Sequence, residues 1–233
     1  MFIPLKDDNP TSRFPYITVV FIGLNILILL YQIFSPEGLQ YYVYKMGAIP
    51  YEITHFKSLH YFPWLSVDYV PRLSPPLTLI TSMFIHGGLL HLLGNMLYLW
   101  IFGNNVEDYL GSFLFTLFYL LSGLGASFTH IIFHFNSPYP VIGASGAVAG
   151  VMGAYLILYP RAKVLTLVFP FFFIRIIPIP AAIVLGFWFL LQILNIGLGG
   201  GVAWFAHVGG FLIGIALLKV YTGRRRKPKV WIN

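Results

Sequence analysis

The residues of this sequence that are best suited to chemistry are one serine and one histidine, which lie far apart in apolar stretches. Ser145 lies in the run GASG and His207 in the run AHVGG. A serine hydroxyl is a weak nucleophile until a neighbouring base removes its proton, and a neutral imidazole is the usual base near pH 7. The pair therefore predicts nucleophilic catalysis, with Ser145 as the nucleophile and His207 as the base.

Three further groups could stabilise an oxyanion that forms beside Ser145. His91 and Asn95 are four residues apart, so they share one face of a helix, and both can act as neutral donors. The backbone N–H of Ser145 itself lies at a predicted helix start, where the helix dipole favours an anion. Simpler interpretations are an N-cap for Ser145 and an interhelical hydrogen bond for Asn95. His86 falls off the shared face and is expected near the outer interface with a local hydrogen bond.

Metal and triad chemistries are less well supported than a serine–histidine dyad. His86, His91 and His207 could converge, but the chain has no His-Glu-x-x-His motif, and Glu107 and Asp108 are expected at a cytoplasmic edge. No metal site is predicted, and no buried aspartate is available to orient His207. The absence of cysteine excludes disulfides, thiolate metal sites and a cysteine nucleophile.

The composition indicates an integral membrane protein. Of the 233 residues, 58% are hydrophobic and only 9% are charged, whereas soluble domains have roughly 25% charged residues. The net charge of +7 does not indicate nucleic acid, because much of it lies in residues 224–229, directly after an apolar segment. Such a cluster is typical of an orientation signal beside anionic lipid.

The apolar runs predict an all-α bundle of six transmembrane helices. The predicted spans are residues 16–34, 79–102, 106–133, 145–159, 181–196 and 202–221. They form one domain at 16–221, between a polar N-terminal tail at 1–15 and a basic C-terminal tail at 222–233. Residues 35–77 are expected in the headgroup layer, and the proline-interrupted stretch 161–180 is expected to be interfacial, extended or re-entrant.

The distribution of basic residues predicts that both termini are cytoplasmic. The side of the termini would hold 11 of the 14 lysines and arginines. Ser145 and His207 then lie near the outer ends of their helices. The fourth segment is only about 22 Å long, so Ser145 should lie below the surface of a core of about 30 Å. The expected location is the plasma (inner) membrane of a prokaryote.

Small residues recur every four positions on the two helices that carry the proposed dyad. Gly146, Gly150 and Ala154 form one stripe, and Gly210 and Gly214 form the other. Such stripes let helix backbones touch in lipid. The two helices are therefore expected to pack directly against each other.

Taken together, the motifs resemble the rhomboid family of intramembrane serine proteases. The resemblance covers the second to sixth predicted spans and rests on these runs: His86-x4-His91-x3-Asn95, Gly103-x3-Glu107-x3-Gly111, Gly143-x-Ser145-Gly146 and Ala206-His207-x2-Gly210-x3-Gly214. It implies a six-helix fold and cofactor-free hydrolysis of transmembrane protein substrates within the lipid bilayer, near its boundary. It also implies Ser145 as nucleophile, His207 as base, an oxyanion hole of His91, Asn95 and the Ser145 N–H, and Glu107 as a stabilising residue.

Two positions depart from the family pattern. Leu77-Thr78 stands where many members have a Trp-Arg pair, and Ala149 stands where many have a tyrosine that stacks on the histidine. Neither change removes a catalytic group. Two other functions remain open: a non-catalytic membrane-protein binder or chaperone on the same scaffold, and a small transporter. The lack of buried ionisable groups and of an inverted repeat argues against the transporter.

Overall fold

A computed structural model describes residues 2–62, 70, 72–168, 175–198 and 201–223. In this part of the chain, the secondary structure consists of helices with one small sheet. The helices are α1 (Tyr16–Phe34), α2 (Gly38–Met46), α3 (Pro50–His55), α4 (Pro75–Thr81), α5 (Leu89–Leu110), α6 (Ser112–Phe133), α7 (Ser145–Leu158), α8 (Ala181–Leu194) and α9 (Trp204–Thr222). The strands are β1 (Phe2–Asp7), β2 (Lys163–Val168) and β3 (Arg175–Pro180).

The lengths of the helices do not confirm six spans. In the described residues, α1, α6 and α9 are long and apolar enough to cross a membrane. Segment 75–84 and α5 together could form a fourth crossing, with a bend of 79° between them. Helices α7 and α8 have 14 residues each, or about 21 Å, which is shorter than a hydrocarbon core of about 30 Å.

Helix α1 shows the inverted polarity of a membrane protein. Beside Phe21 and Leu29, its buried face contains three polar side chains that are fully buried, Thr18, Asn25 and Gln32, whereas Leu27 and Phe34 are 66% and 81% exposed. A soluble helix would bury its leucines and expose its amides. The surface of α1 is therefore suited to contact with lipid, and its predicted bounds at 16–34 are confirmed.

The predicted boundary between the second and third spans is wrong. The prediction placed the two spans at 79–102 and 106–133, whereas α5 runs on to Leu110 and α6 begins at Ser112. Gly111 separates them with a φ of +79°, a conformation that glycine adopts without steric cost. Glu107 and Asp108 thus lie in the last turn of α5 and not in the first turn of the next helix.

A three-stranded antiparallel sheet corrects the all-α prediction. The strand order is β1-β2-β3, and β1 lies within the predicted N-terminal tail. Strands β2 and β3 lie in the stretch 161–180, so the extended alternative is confirmed for its described parts. The basic residues 224–229 of the C-terminal tail lie outside the described residues.

The end of β1 is attached to the helical core through Asp7. The Tyr155 hydroxyl of α7 donates a hydrogen bond of 2.5 Å to Oδ2 of Asp7. Only 7% of Asp7 is exposed. Burial raises the pKa of the Asp7 carboxyl from 3.8 to about 6, although the hydrogen bond from Tyr155 opposes this shift.

Replacing Asp7 with asparagine should remove a pH dependence of stability. Because the pKa of Asp7 is higher in the folded state, the folded protein binds more protons than the unfolded chain between about pH 4 and pH 6. This contribution to stability is present at low pH and is lost as the pH rises through that window. Thermal unfolding in detergent should therefore show Asp7→Asn gaining stability relative to wild type between pH 4 and pH 6.

Asp8→Asn is the comparison variant, since Asp8 is adjacent but exposed. It removes a neighbouring charge that adds to the raised pKa of Asp7, but Asp7 stays buried, so this variant should still lose stability between about pH 4 and pH 6 as the wild type does. Parallel curves for wild type and Asp7→Asn would contradict the prediction.

Candidate active site

Helices α7 and α9 touch along their glycines. A Cβ atom at Gly210 would lie 2.1 Å from the carbonyl oxygen of Gly146, and one at Gly214 would lie 2.1 Å from that of Gly150. Any larger side chain would force the helices apart. This close approach brings the start of α7, with Ser145, beside the first turn of α9, with His207.

Ser145 is the first residue of α7 and does not cap it. The N-cap position is Ala144, and no side chain caps this end of the helix. The simpler interpretation of Ser145 as an N-cap is therefore wrong. The hydroxyl lies at a helix start whose backbone N–H groups have no partner within the helix.

One cavity of about 680 Å³ brings together side chains from four helices. Its lining includes His91 and Asn95 of α5, Ser145 of α7, Trp188 and Gln192 of α8, and His207 of α9. No hydrogen bond joins Ser145 to His207 in this structure. Contacts between a catalytic base and its nucleophile are often long without substrate and tighten in the complex.

The turn before Ser145 passes directly over His91. Gly143 has a φ of +107°, and a Cβ atom there would lie 2.7 Å from Nε2 of His91 and 3.5 Å from Nδ2 of Asn95. The Gly87 N–H donates to Nδ1 of His91 at 3.4 Å. Because Nδ1 accepts, the proton of a neutral His91 is on Nε2, the atom beside Gly143.

Asn95 is held by His86, which confirms the local hydrogen bond expected for His86. The His86 side chain is fully buried in the protein, and its Nε2 lies 3.0 Å from Nδ2 of Asn95. The backbone of His86 is in turn bonded to the Gln32 amide of α1 at 3.2 and 3.3 Å. Within the described residues, no three His, Asp or Glu side chains gather as a metal site.

His207 is supported by groups that the sequence analysis did not identify. Its Nδ1 lies 2.8 Å from Oε1 of Gln192. The ring centroids of Trp188 and Trp204 are 5.9 and 6.2 Å from that of His207, so tryptophans take the place of the missing tyrosine at Ala149. The available signal was Gln192 itself, because it is the only amide or ionisable side chain in α8.

Glu107 stabilises the start of a different helix from the one expected. Its carboxylate accepts hydrogen bonds from the N–H groups of Ile17 and Thr18 at 2.9 and 2.8 Å, and from the hydroxyls of Thr18 and Ser112. These backbone donors belong to the first turn of α1, where a negative charge complements the dipole. Glu107 therefore connects α5, α6 and α1 at the end of the bundle away from the cavity.

A buried ion pair anchors the segment between α1 and α4. The Arg72 Nε donates to both carboxylate oxygens of Glu52 at 2.8 and 2.9 Å, and Arg72 Nη2 donates to the Gly47 carbonyl at 3.0 Å. Both side chains are fully buried, so loss of either partner would leave an uncompensated charge. This pair supplies an anchor just before α4, the helix in which Leu77-Thr78 stands where many members of the family have a Trp-Arg pair.

The fold defines a membrane protein in which a serine and a histidine from adjacent helices face one cavity. A family profile described as "Rhomboid domain" matches residues 75–224. The chain belongs to the rhomboid family.

Similar proteins come from plants, yeast and bacteria. The chain is 39% identical over 140 residues, 60% of its length, to "RHOMBOID-like protein 6, mitochondrial" of Arabidopsis thaliana. It is 29% identical over 194 residues, 78% of its length, to "Rhomboid protein 1, mitochondrial" of Saccharomyces cerevisiae. It is 39% identical over 142 residues, again 60%, to "Rhomboid protease GluP" of Bacillus subtilis.

The chain covers only part of the length of each of these relatives. The alignments span 41%, 51% and 25% of the lengths of the three relatives. Two of the three are named as mitochondrial, so the comparisons do not support the prediction of a prokaryotic plasma membrane. The comparisons do support the assignment of the chain to a membrane.

Proposed function

We propose that this chain is an intramembrane serine protease that cleaves transmembrane proteins near the outer boundary of the bilayer. The main observation is the shared cavity of Ser145 and His207, whose helices are fixed by contact between glycine and backbone carbonyl. A further support is that one relative is named a rhomboid protease. The alternative of a non-catalytic binder does not account for both side chains facing this cavity.

In the proposed reaction, Nε2 of His207 takes the proton of the Ser145 hydroxyl as the oxygen attacks the scissile carbonyl. The resulting imidazolium then gives that proton to the leaving amine as the C–N bond breaks, which leaves an acyl-enzyme on Ser145. Water attacks the ester with the same base, and the serine and the carboxylic acid product are released. No cofactor is needed.

The oxyanion of each tetrahedral intermediate would be stabilised by donors around Gly143. These are Nε2–H of His91, Nδ2–H of Asn95 and the backbone N–H of Ser145. Each is uncharged, so it can lie at the edge of the bilayer without the cost of a buried charge. The bond from Asn95 to His86 uses one of its two amide protons and leaves the other for the substrate.

The proposed topology places both termini in the cytoplasm and the cavity towards the outer side. It rests on the excess of basic residues at the ends of the chain and in the stretch 161–175. Helices α7 and α8 would then cross only part of the bilayer, with Ser145 below its surface. The substrate would reach the cavity from the surrounding lipid.

A fluorescent fluorophosphonate tests the proposal, because this reagent reacts with activated serines. Purified wild-type protein in detergent should be labelled and should cleave a reporter with a transmembrane segment, whereas Ser145→Ala should do neither. Ser127→Ala is the control, since Ser127 is a nearby buried serine outside the main cavity and its loss should leave labelling intact. If the wild type is not labelled while a known rhomboid protease is, the binder becomes the better interpretation.

A further inference from the structure

We infer that Gln192 is a positioning residue that fixes the tautomer and the ring orientation of His207. This inference rests on the proposed function, because it assigns Gln192 the place that a carboxylate takes in a serine–histidine–aspartate triad. The relevant juxtaposition is the 2.8 Å contact between Oε1 of Gln192 on α8 and Nδ1 of His207 on α9.

The orientation of the Gln192 amide follows from its second hydrogen bond. Its Nε2 donates to the backbone carbonyl of Trp188 at 3.0 Å. A carbonyl can only accept, so the amide nitrogen must face Trp188 and the amide oxygen must face His207. That oxygen also can only accept, and Nδ1 of His207 must therefore carry the proton.

This tautomer is the one that a general base requires. A neutral imidazole has one protonated and one unprotonated nitrogen, so a proton on Nδ1 leaves the lone pair on Nε2. In the opposite tautomer, the lone pair would be on Nδ1 and would face Gln192. Nε2 would then carry a proton and could not accept one from the serine. The amide oxygen also stabilises the Nδ1–H of the imidazolium that forms during the reaction.

The surroundings favour an amide over a carboxylate in this role. Gln192 is only 5% exposed, and the rest of α8 carries no ionisable side chain. A buried carboxylate is costly unless it is paired, whereas an amide orients the ring without a net charge. Shielding from water strengthens such a hydrogen bond.

The test compares two substitutions at Gln192 with a matched one at Asn195. Gln192→Met keeps the size of the side chain and removes the acceptor, whereas Gln192→Glu keeps an acceptor and adds a charge. Asn195→Leu removes a side-chain amide at the end of the same helix; this amide donates to the Leu191 carbonyl and does not contact His207. The rate of fluorophosphonate labelling is measured from pH 5 to pH 9, with thermal unfolding as a check on the fold.

We expect Gln192→Met to label about 10- to 100-fold more slowly than wild type, because a misplaced base costs rates of this order. Gln192→Glu should recover at least a tenth of the wild-type rate, and its half-maximal labelling should move up by about one pH unit, because a carboxylate favours the imidazolium. Asn195→Leu should label as the wild type does.

Two outcomes would overturn the inference while leaving the protease proposal intact. One is a Gln192→Met protein that labels within twofold of wild type while Ser145→Ala does not label. The other is slow labelling by both Gln192 variants with an unchanged pH midpoint, which would reduce Gln192 to a packing role. Absence of labelling in the wild type would instead contradict the proposed function itself.

Discussion

Replacing His207 with alanine should lower both labelling and substrate cleavage by about a thousandfold or more, because the Ser145 hydroxyl would lose its base. The side chain lines the cavity opposite Ser145, and within the described residues no other imidazole takes its position on α9. Cleavage of a reporter with a transmembrane segment, followed on gels, measures the loss. The residual rate should be the rate that the oxyanion donors and substrate binding support without a general base.

His134→Ala is the matched control for this prediction. His134 lies at the end of α6, stacks on His130 at 4.1 Å and does not line the cavity. Its loss should change activity by less than about threefold, within what a surface substitution does. A His207→Ala protein that keeps a tenth of wild-type cleavage would exclude His207 as the base.

Gly143→Ala should reduce cleavage about a hundredfold while the protein stays folded. The added methyl group would lie 2.7 Å from Nε2 of His91 and 2.8 Å from its Cε1, so the imidazole must move away from the oxyanion position. Removal of one oxyanion donor costs about 10²- to 10³-fold in rate. The effect should appear in kcat more than in KM, because the lost contact forms with the transition state.

Gly111→Ala separates this clash from backbone strain. Gly111 also has a positive φ, of +79°, but a Cβ atom there would meet nothing within 4 Å. Both variants carry the strain of a side chain at a positive φ, on the order of 1 to 3 kcal/mol, and only Gly143→Ala disturbs His91. Equal losses of activity in the two variants would show that strain, and not displacement of His91, is the cause.

The elements that could be predicted from the sequence are those defined by unbroken apolar runs and by regular glycine spacing. The bounds of α1 are an example, and the start of α7 at Ser145 is another. The four-residue glycine spacing also indicated that α7 and α9 would touch. In each case the signal lies within one segment, so it does not depend on knowing which other segment packs against it.

The parts that could not be predicted depend on partners that are distant in sequence. Glu107 was expected to stabilise the fold, but its backbone donors, the N–H groups of Ile17 and Thr18, lie on α1, about ninety residues earlier in the chain. Strand β1 looked like a tail because the strand it pairs with, β2, lies far along the chain. The role of Gln192 can be inferred only when α8 is known to lie against His207. Local pattern therefore singled out side chains that line the shared cavity, but not the residues that hold them.

The glycine contacts between α7 and α9 have a consequence for biosynthesis. Ribosomes add residues from the N-terminus, so Ser145 enters the membrane before the segment with His207 has been made. The carbonyl oxygens of Gly146 and Gly150 are covered by Gly210 and Gly214 of α9, which is synthesised later. Under the proposed function, a nascent chain would thus carry the nucleophile without its base, and it would gain proteolytic activity only after its own helices had been assembled.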